Sequence, residues 1–209
     1  MKIFIDFDGV IFNAERFRND IKRIFIKSGF SERDFDRTYS YLKQKGIYYS
    51  PERQARILNA DNNKKKEISA SIEKLLADSP KKYIFKDVRN FLGFFKKKDI
   101  YILSLGNINF QNKKIKSIKL GKYFKKIIVT DKNKDNEIKK TIRKEKIKSD
   151  EKIFFIDDSA NNIEIVKTKN PKITTIHLLR KNAAQFSKCA DFEARNLGQV
   201  LGIYKLLIK

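Results

Sequence analysis

The sequence predicts an α/β protein in which a parallel sheet is sandwiched between helices and a block of further helices is spliced in after the first strand. Three observations predict it. Short apolar runs rich in β-branched and aromatic residues recur at Lys2 to Asp6, Ile100 to Ser104, Ile127 to Thr130 and Ile153 to Ile156, the pattern of strands covered on both faces. Helical periodicity occupies the intervals, as the crossovers between parallel strands require. Each run is followed by residues able to hold a cation or a phosphate: Asp6 with Asp8, Ser104, Lys134, and Asp157 with Asp158. Parallel sheets bind ligands at the carboxyl ends of their strands, so these four signals converge in space.

In chain order, Phe17, Ile21, Ile24 and Phe25 share one helical face, and Ser31 opens a second helix carrying Phe35, Tyr39 and Leu42. Ser50 followed by Pro51 starts a third, and Ile68, Ile72, Leu75 and Leu76 space a fourth that Pro80 stops. Residues 14–82 therefore read as a helical insert, and residues 1–13 with 83–209 as the α/β core. In the core, Val88, Phe91, Leu92 and Phe95 give a helix before the second strand. Gly106 and Asn107 turn the chain after Ser104, Phe110, Ile115 and Ile118 continue a helix, and Gly121 closes that connection. A Lys-rich helix through Ile138 and Ile142 leads to the fourth strand, Asn161 and Asn162 sit near the start of another helix, and Ile173 to Leu179 forms a fifth strand.

The Asp6-Phe7-Asp8-Gly9-Val10 opening, Ser104 after the second strand, Lys134 in the third connection and paired Asp157-Asp158 after the fourth strand together resemble the haloacid dehalogenase (HAD) superfamily of aspartate-nucleophile phosphotransferases. The resemblance implies a Rossmann-like sheet in the order 5-4-1-2-3 with right-handed crossovers, and a variable cap in place of the helical insert. It is specific as a combination. Asp-Gly alone reads as a tight turn, and the other three signals overturn that reading.

The resemblance also implies roles. Asp6 is the nucleophile, which with Mg²⁺ and an in-line phosphorus forms an aspartyl-phosphate. Asp8 is the general acid, then the general base for the hydrolytic water. Dehalogenating members lack an Asp at this second position, so its presence argues for phosphoryl transfer. Asp158 ligates the metal directly and Asp157 directly or through water, alongside Asp6 and the main-chain carbonyl of Asp8. Adjacent carboxylates repel unless a cation compensates them, and Mg²⁺ prefers oxygen ligands; the same pair also suits a helix start ahead of Ser159. Ser104 and backbone N–H groups near Leu105 and Gly106 grip the phosphate. Lys134 neutralises the transferring phosphoryl group; Lys132, two residues away, competes for that role.

Composition bounds the remaining choices. At 209 residues the chain holds one domain plus a modest insert. Lone Cys189 forms no internal disulfide, and no amino-terminal stretch has the length of a signal peptide, so a cytoplasmic setting is expected. The apolar runs are too short to span a bilayer, and a membrane span is not expected. One His and one Cys exclude Ser-His-Asp, Cys-His and His-zinc sites built from the usual parts, and His177 in its apolar run reads as structural. There is no P-loop or GxGxxG fingerprint. The net charge of +23 is spread over scattered lysines, and Lys outnumbers Arg more than threefold, which reads as composition rather than a dedicated nucleic-acid surface.

The expected function is a Mg²⁺-dependent phosphatase acting on a small phosphomonoester, with Asn13, Arg16, Arg18, Tyr48, Tyr49, Arg53 and Arg56 as candidates for substrate choice. One alternative is a phosphatase of nucleic-acid ends, drawn by the positive charge. The other is a non-catalytic binding protein on the same fold, which would give no reason for both Asp6 and Asp8.

Overall fold

The computed structural model describes residues 1–180 and 187–208. Strand β1 (Lys2–Ile5) is followed by helices α1 (Ala14–Lys27), α2 (Glu32–Gln44), α3 (Pro51–Ile57) and α4 (Asn62–Asp78). The core resumes with α5 (Val88–Phe94), β2 (Ile100–Leu105), α6 (Ile108–Ser117), β3 (Lys126–Thr130), α7 (Lys134–Lys144), β4 (Ile153–Asp157), α8 (Ala160–Lys169), β5 (Thr174–Leu178), β6 (Phe192–Ala194) and α9 (Leu197–Leu207). The sheet runs β3-β2-β1-β4-β5-β6, and every pairing is parallel. The five-strand order matches the expected one. Strand β6 and helix α9 lie beyond it and were not anticipated.

Side-chain alternation explains why the inner strands are apolar throughout. Ile3, Ile5, Ile100, Ile102, Phe154 and Ile156 enter one buried cluster, while Phe4, Tyr101, Leu103 and Phe155 enter another with Ile138, Ile163 and Val166 from the covering helices. Both faces are dry, so neither set of positions tolerates polarity. Helix starts are written locally. The side chains of Asn13, Ser31, Ser50, Asp61, Asn107, Ser159 and Asn196 each accept a backbone N–H three residues on, which satisfies a donor the helix itself cannot.

The four helices after β1 share the first apolar cluster with the sheet. The joint is aromatic: Phe17 lies 5.2 Å from Phe12, 4.9 Å from Tyr83 and 6.1 Å from Phe110, centroid to centroid. Such pairs add about 0.5–1.5 kcal/mol each beyond the area they bury. On the opposite side of the β1 turn, Arg180 donates to the Val10 carbonyl and to both oxygens of Asp87. Asp87 also accepts the Leu197 N–H at the start of α9, so one ion pair fixes the turn, α5 and α9 together. No described helix is long and apolar enough to cross a membrane.

Candidate active site at the carboxyl rim of the sheet

Strand β1 ends one residue before Asp6, whose N–H still donates to the Ile156 carbonyl at 2.9 Å. Beyond it the chain closes a tight turn, with Ile11 and Phe12 N–H both bonded to the Phe7 carbonyl and Gly9 N–H to Phe12. Gly9 adopts φ +74°, and a Cβ there would lie 1.8 Å from Oδ2 of Asp158. Only glycine meets both demands. Gly9→Ala is expected to cost more than about 1 kcal/mol of stability, since alanine is strained at positive φ and must also displace a carboxylate; urea unfolding of the variant checks it.

Asp6, Asp157 and Asp158 bring carboxylate oxygens within 4.8 Å of one another. Lys134, at the first position of α7 and 3% exposed, donates to Asp6 Oδ1 at 2.5 Å and to Asp157 Oδ2 at 2.6 Å. Lys132 is exposed, so Lys134 is the lysine that reaches the carboxylates. Asp157 is fully buried; its Oδ1 accepts from Ser159 N–H at 2.9 Å, and Asn162 Nδ2 reaches both oxygens. His177 lies beside Asp157 on β5. Its Nδ1 accepts the Ser187 N–H, which leaves Nε2–H to donate to the Asp158 carbonyl at 3.1 Å. The histidine is structural, and what it holds is the Asp158 backbone.

Three carboxylates against one ammonium leave the cluster short of positive charge. Burial, seconded by the charge of Asp157, pushes the Asp6 carboxyl up to about 7 even though Lys134 pulls it down. Asp158 is exposed as a residue, yet its carboxylate is crowded in against Gly9. That desolvation, followed by the charges of Asp6 and Asp157, pushes its carboxyl well up. Burial works against the Lys134 charge, but Asp157 and Asp6 overcome it and hold the ammonium above the usual lysine range. A set of hard oxygens with uncompensated negative charge fits a divalent cation that keeps some of its waters, as Mg²⁺ does.

Ser104 is 1% exposed, and its Oγ has no hydrogen-bond partner among the described residues. A buried hydroxyl left unpaired at a strand end is rare enough to mark a place for a ligand acceptor. The Gly106 N–H is bonded to the Thr130 carbonyl at 2.9 Å. The Leu105 carbonyl accepts from Gln111 Nε2 at 3.3 Å.

The Asp8 carboxylate points to α6. Its Oδ2 accepts from Gln111 Nε2 at 2.6 Å, and Lys114 Nζ lies 2.7 Å from Oδ1 and 2.6 Å from Oδ2. Sequence reading missed both partners. Asp8 lines two cavities. One, of about 210 Å³, is walled by Phe17, Arg18, Tyr39, Tyr48, Tyr49 and Phe110; the other, of about 390 Å³, contains Asp6, Gly9, Asp158, Phe85 and Arg180. Of the residues expected to choose substrate, Arg18, Tyr48 and Tyr49 line the first. Asn13 caps α1 beside the second, and Arg16 is tied to the Lys82 carbonyl. Arg53 and Arg56 face a separate surface pocket.

A hydrolase family model, haloacid dehalogenase-like hydrolase, matches residues 3–167, from β1 through most of α8. No curated protein matches the sequence. Among solved structures, a HAD hydrolase of Bacillus subtilis bound to magnesium superposes with TM-score 0.67 at 13% identity, covering 97% of each chain. A 2-haloacid dehalogenase of Pseudomonas syringae pv. Tomato gives 0.66 at 15%, over 99% of this chain and 100% of its own. A Clostridium difficile protein described as a phosphatase gives 0.64 at 19%, over 96% of both. At these identities the likenesses show the fold, and they include both chemistries. The matched segment carries all four signals at the sheet rim, and the chain belongs to the haloacid dehalogenase-like hydrolases.

Proposed function

We propose that this hydrolase is a Mg²⁺-dependent phosphatase of small phosphomonoesters. The observation that carries the reading is the Asp8 carboxylate lining the Phe17–Tyr49 cavity. A halide leaves as a stable anion and needs no proton, whereas an alkoxide leaving phosphorus does. The orphaned Ser104 hydroxyl supports the same reading, since it can donate to a phosphate oxygen.

Asp6 Oδ1 is tied to Lys134, which leaves Oδ2 to attack phosphorus. A bond forms from Asp6 to phosphorus, the bond from phosphorus to the substrate alcohol breaks, and Asp8, entering the step as the carboxylic acid, gives its proton to the departing oxygen and is left as the carboxylate that Lys114 pairs. Asp8 then takes a proton from water as that water attacks the aspartyl-phosphate, which frees Asp6 and releases orthophosphate. Lys134 balances charge on the transferring group, while Asp157 holds Lys134 and the start of α8. Asp6 and Asp158, with Asp157 and the Asp8 carbonyl beside them, would hold Mg²⁺, which neutralises charge between phosphate and nucleophile. Residues 14–82 act as a cap over a core of 1–13 and 83–209, and the small cavity between them limits the alcohol that fits.

A panel of phosphomonoesters, 2-haloacids and end-phosphorylated oligonucleotides, with Mg²⁺ or EDTA and at low and physiological salt, tests the reading. Orthophosphate release from a small ester is expected only with Mg²⁺, and with little salt dependence, because buried Lys134 is screened less than exposed lysines. Halide release, or faster and strongly salt-dependent release from oligonucleotide ends, would overturn it.

A further inference from the structure

We infer that Gln111 and Lys114 are positioning residues that hold the Asp8 carboxylate at the wall of the cavity where the leaving alcohol would lie. The inference rests on the phosphatase reading, in which Asp8 transfers the proton. Both residues lie on α6, three positions apart and therefore on one face, and they reach Asp8 across more than a hundred residues of chain. Lys114 is unlike the many solvated lysines of this protein. It is 5% exposed, and its ammonium sits among the rings of Phe7, Phe12 and Phe110 at 5.6, 5.4 and 5.3 Å from their centroids. Taking an ammonium out of water is costly unless a partner compensates, and its partner here is the Asp8 carboxylate, itself 28% exposed.

Gln111 is fixed as firmly. Its amide nitrogen is spent on Asp8 Oδ2 and the Leu105 carbonyl. It packs so closely over Gly106 that a Cβ there would lie 2.7 Å from Nε2, so glycine at 106 leaves room for the amide. The two donors hold Asp8 in one rotamer at the wall of the cavity that also contains Arg18 and Tyr49. They also keep a fourth carboxylate from swinging into the crowded Asp6, Asp157 and Asp158 cluster. A proton donor must lie within hydrogen-bond reach of the oxygen it serves, and a displacement of about 1 Å can cost about 10²-fold in rate.

The test compares Lys114→Met and Gln111→Leu on two esters with Mg²⁺ present: an alkyl phosphate, whose alcohol must be protonated to leave, and p-nitrophenyl phosphate, whose phenolate leaves nearly unaided. For Lys114→Met, kcat on the alkyl ester should fall about 10²-fold or more while kcat on the aryl ester falls less than about tenfold, with KM little changed. Gln111→Leu keeps the ion pair and should show the same selectivity at smaller size, which secures the test should Lys114→Met fold poorly. Equal losses on the two esters, or an effect confined to KM, overturn the positioning role. Failure of the underlying reading looks different: wild type would release phosphate from neither ester, or Asp8→Asn would show no alkyl selectivity.

Discussion

Asp6→Asn is expected to abolish turnover by about 10⁴-fold or more while the fold survives, because an amide of the same shape cannot attack phosphorus and no other carboxylate occupies its place. Structure and charge argue that the variant folds. Asp6 is buried at the end of β1, its N–H stays bonded to the Ile156 carbonyl, and Lys134 keeps Asp157 as partner. With its carboxyl pushed up to about 7 by burial, the native state binds the Asp6 proton more tightly than the unfolded chain does. Stability therefore falls as pH rises from the ordinary carboxylate range through about 7, and an ionised Asp6 opposes folding when no cation is present. Asparagine removes that opposition. In EDTA at pH 8, Asp6→Asn should melt no lower than wild type. Comparable phosphatase rates in the two proteins would sink the covalent mechanism.

The same charge logic explains what could be read from the sequence. Asp6, Asp157 and Asp158 announced themselves because charged residues at the ends of dry strands are costly without partners, and the strands were legible because both faces are buried, leaving continuous apolar runs. Lys134, in a lysine-rich connection, could be read from the sequence only alongside Lys132. Strand β6 had no such signature: of its three residues only Ala194 is buried. Helix α9 buries only Leu197 and Val200, too few to set a helical period. Lys114 was invisible for another reason. In a chain this rich in lysine, nothing local separates the one whose helix delivers it to Asp8, and the contact exists only after α6 docks. The Gly106 N–H pairing was equally invisible, because it depends on β3 lying beside the end of β2 and offering the Thr130 carbonyl.

Asp158→Ala should separate metal binding from folding. In wild type, Mg²⁺ is expected to raise the melting temperature, since a ligand that binds only the folded state stabilises it in proportion to its concentration over Kd. The cluster gives this shift its size: desolvation against Gly9 and repulsion from Asp6 and Asp157 push the Asp158 carboxyl well up, and a bound cation relieves that strain. Alanine removes both the repulsion and a ligand. The variant in EDTA should therefore melt at or above the wild-type temperature, yet gain almost nothing from Mg²⁺. Its rate with Mg²⁺ should fall by about 10²- to 10⁴-fold, the equivalent of several kcal/mol of lost charge stabilisation in the transition state. Ca²⁺ should replace Mg²⁺ poorly in wild type, because its preferred shell of oxygen ligands is larger and looser. Melting curves with and without Mg²⁺ read the metal site independently of catalysis: a full Mg²⁺ shift retained in Asp158→Ala, or undiminished wild-type turnover in EDTA, would remove the cation from the site.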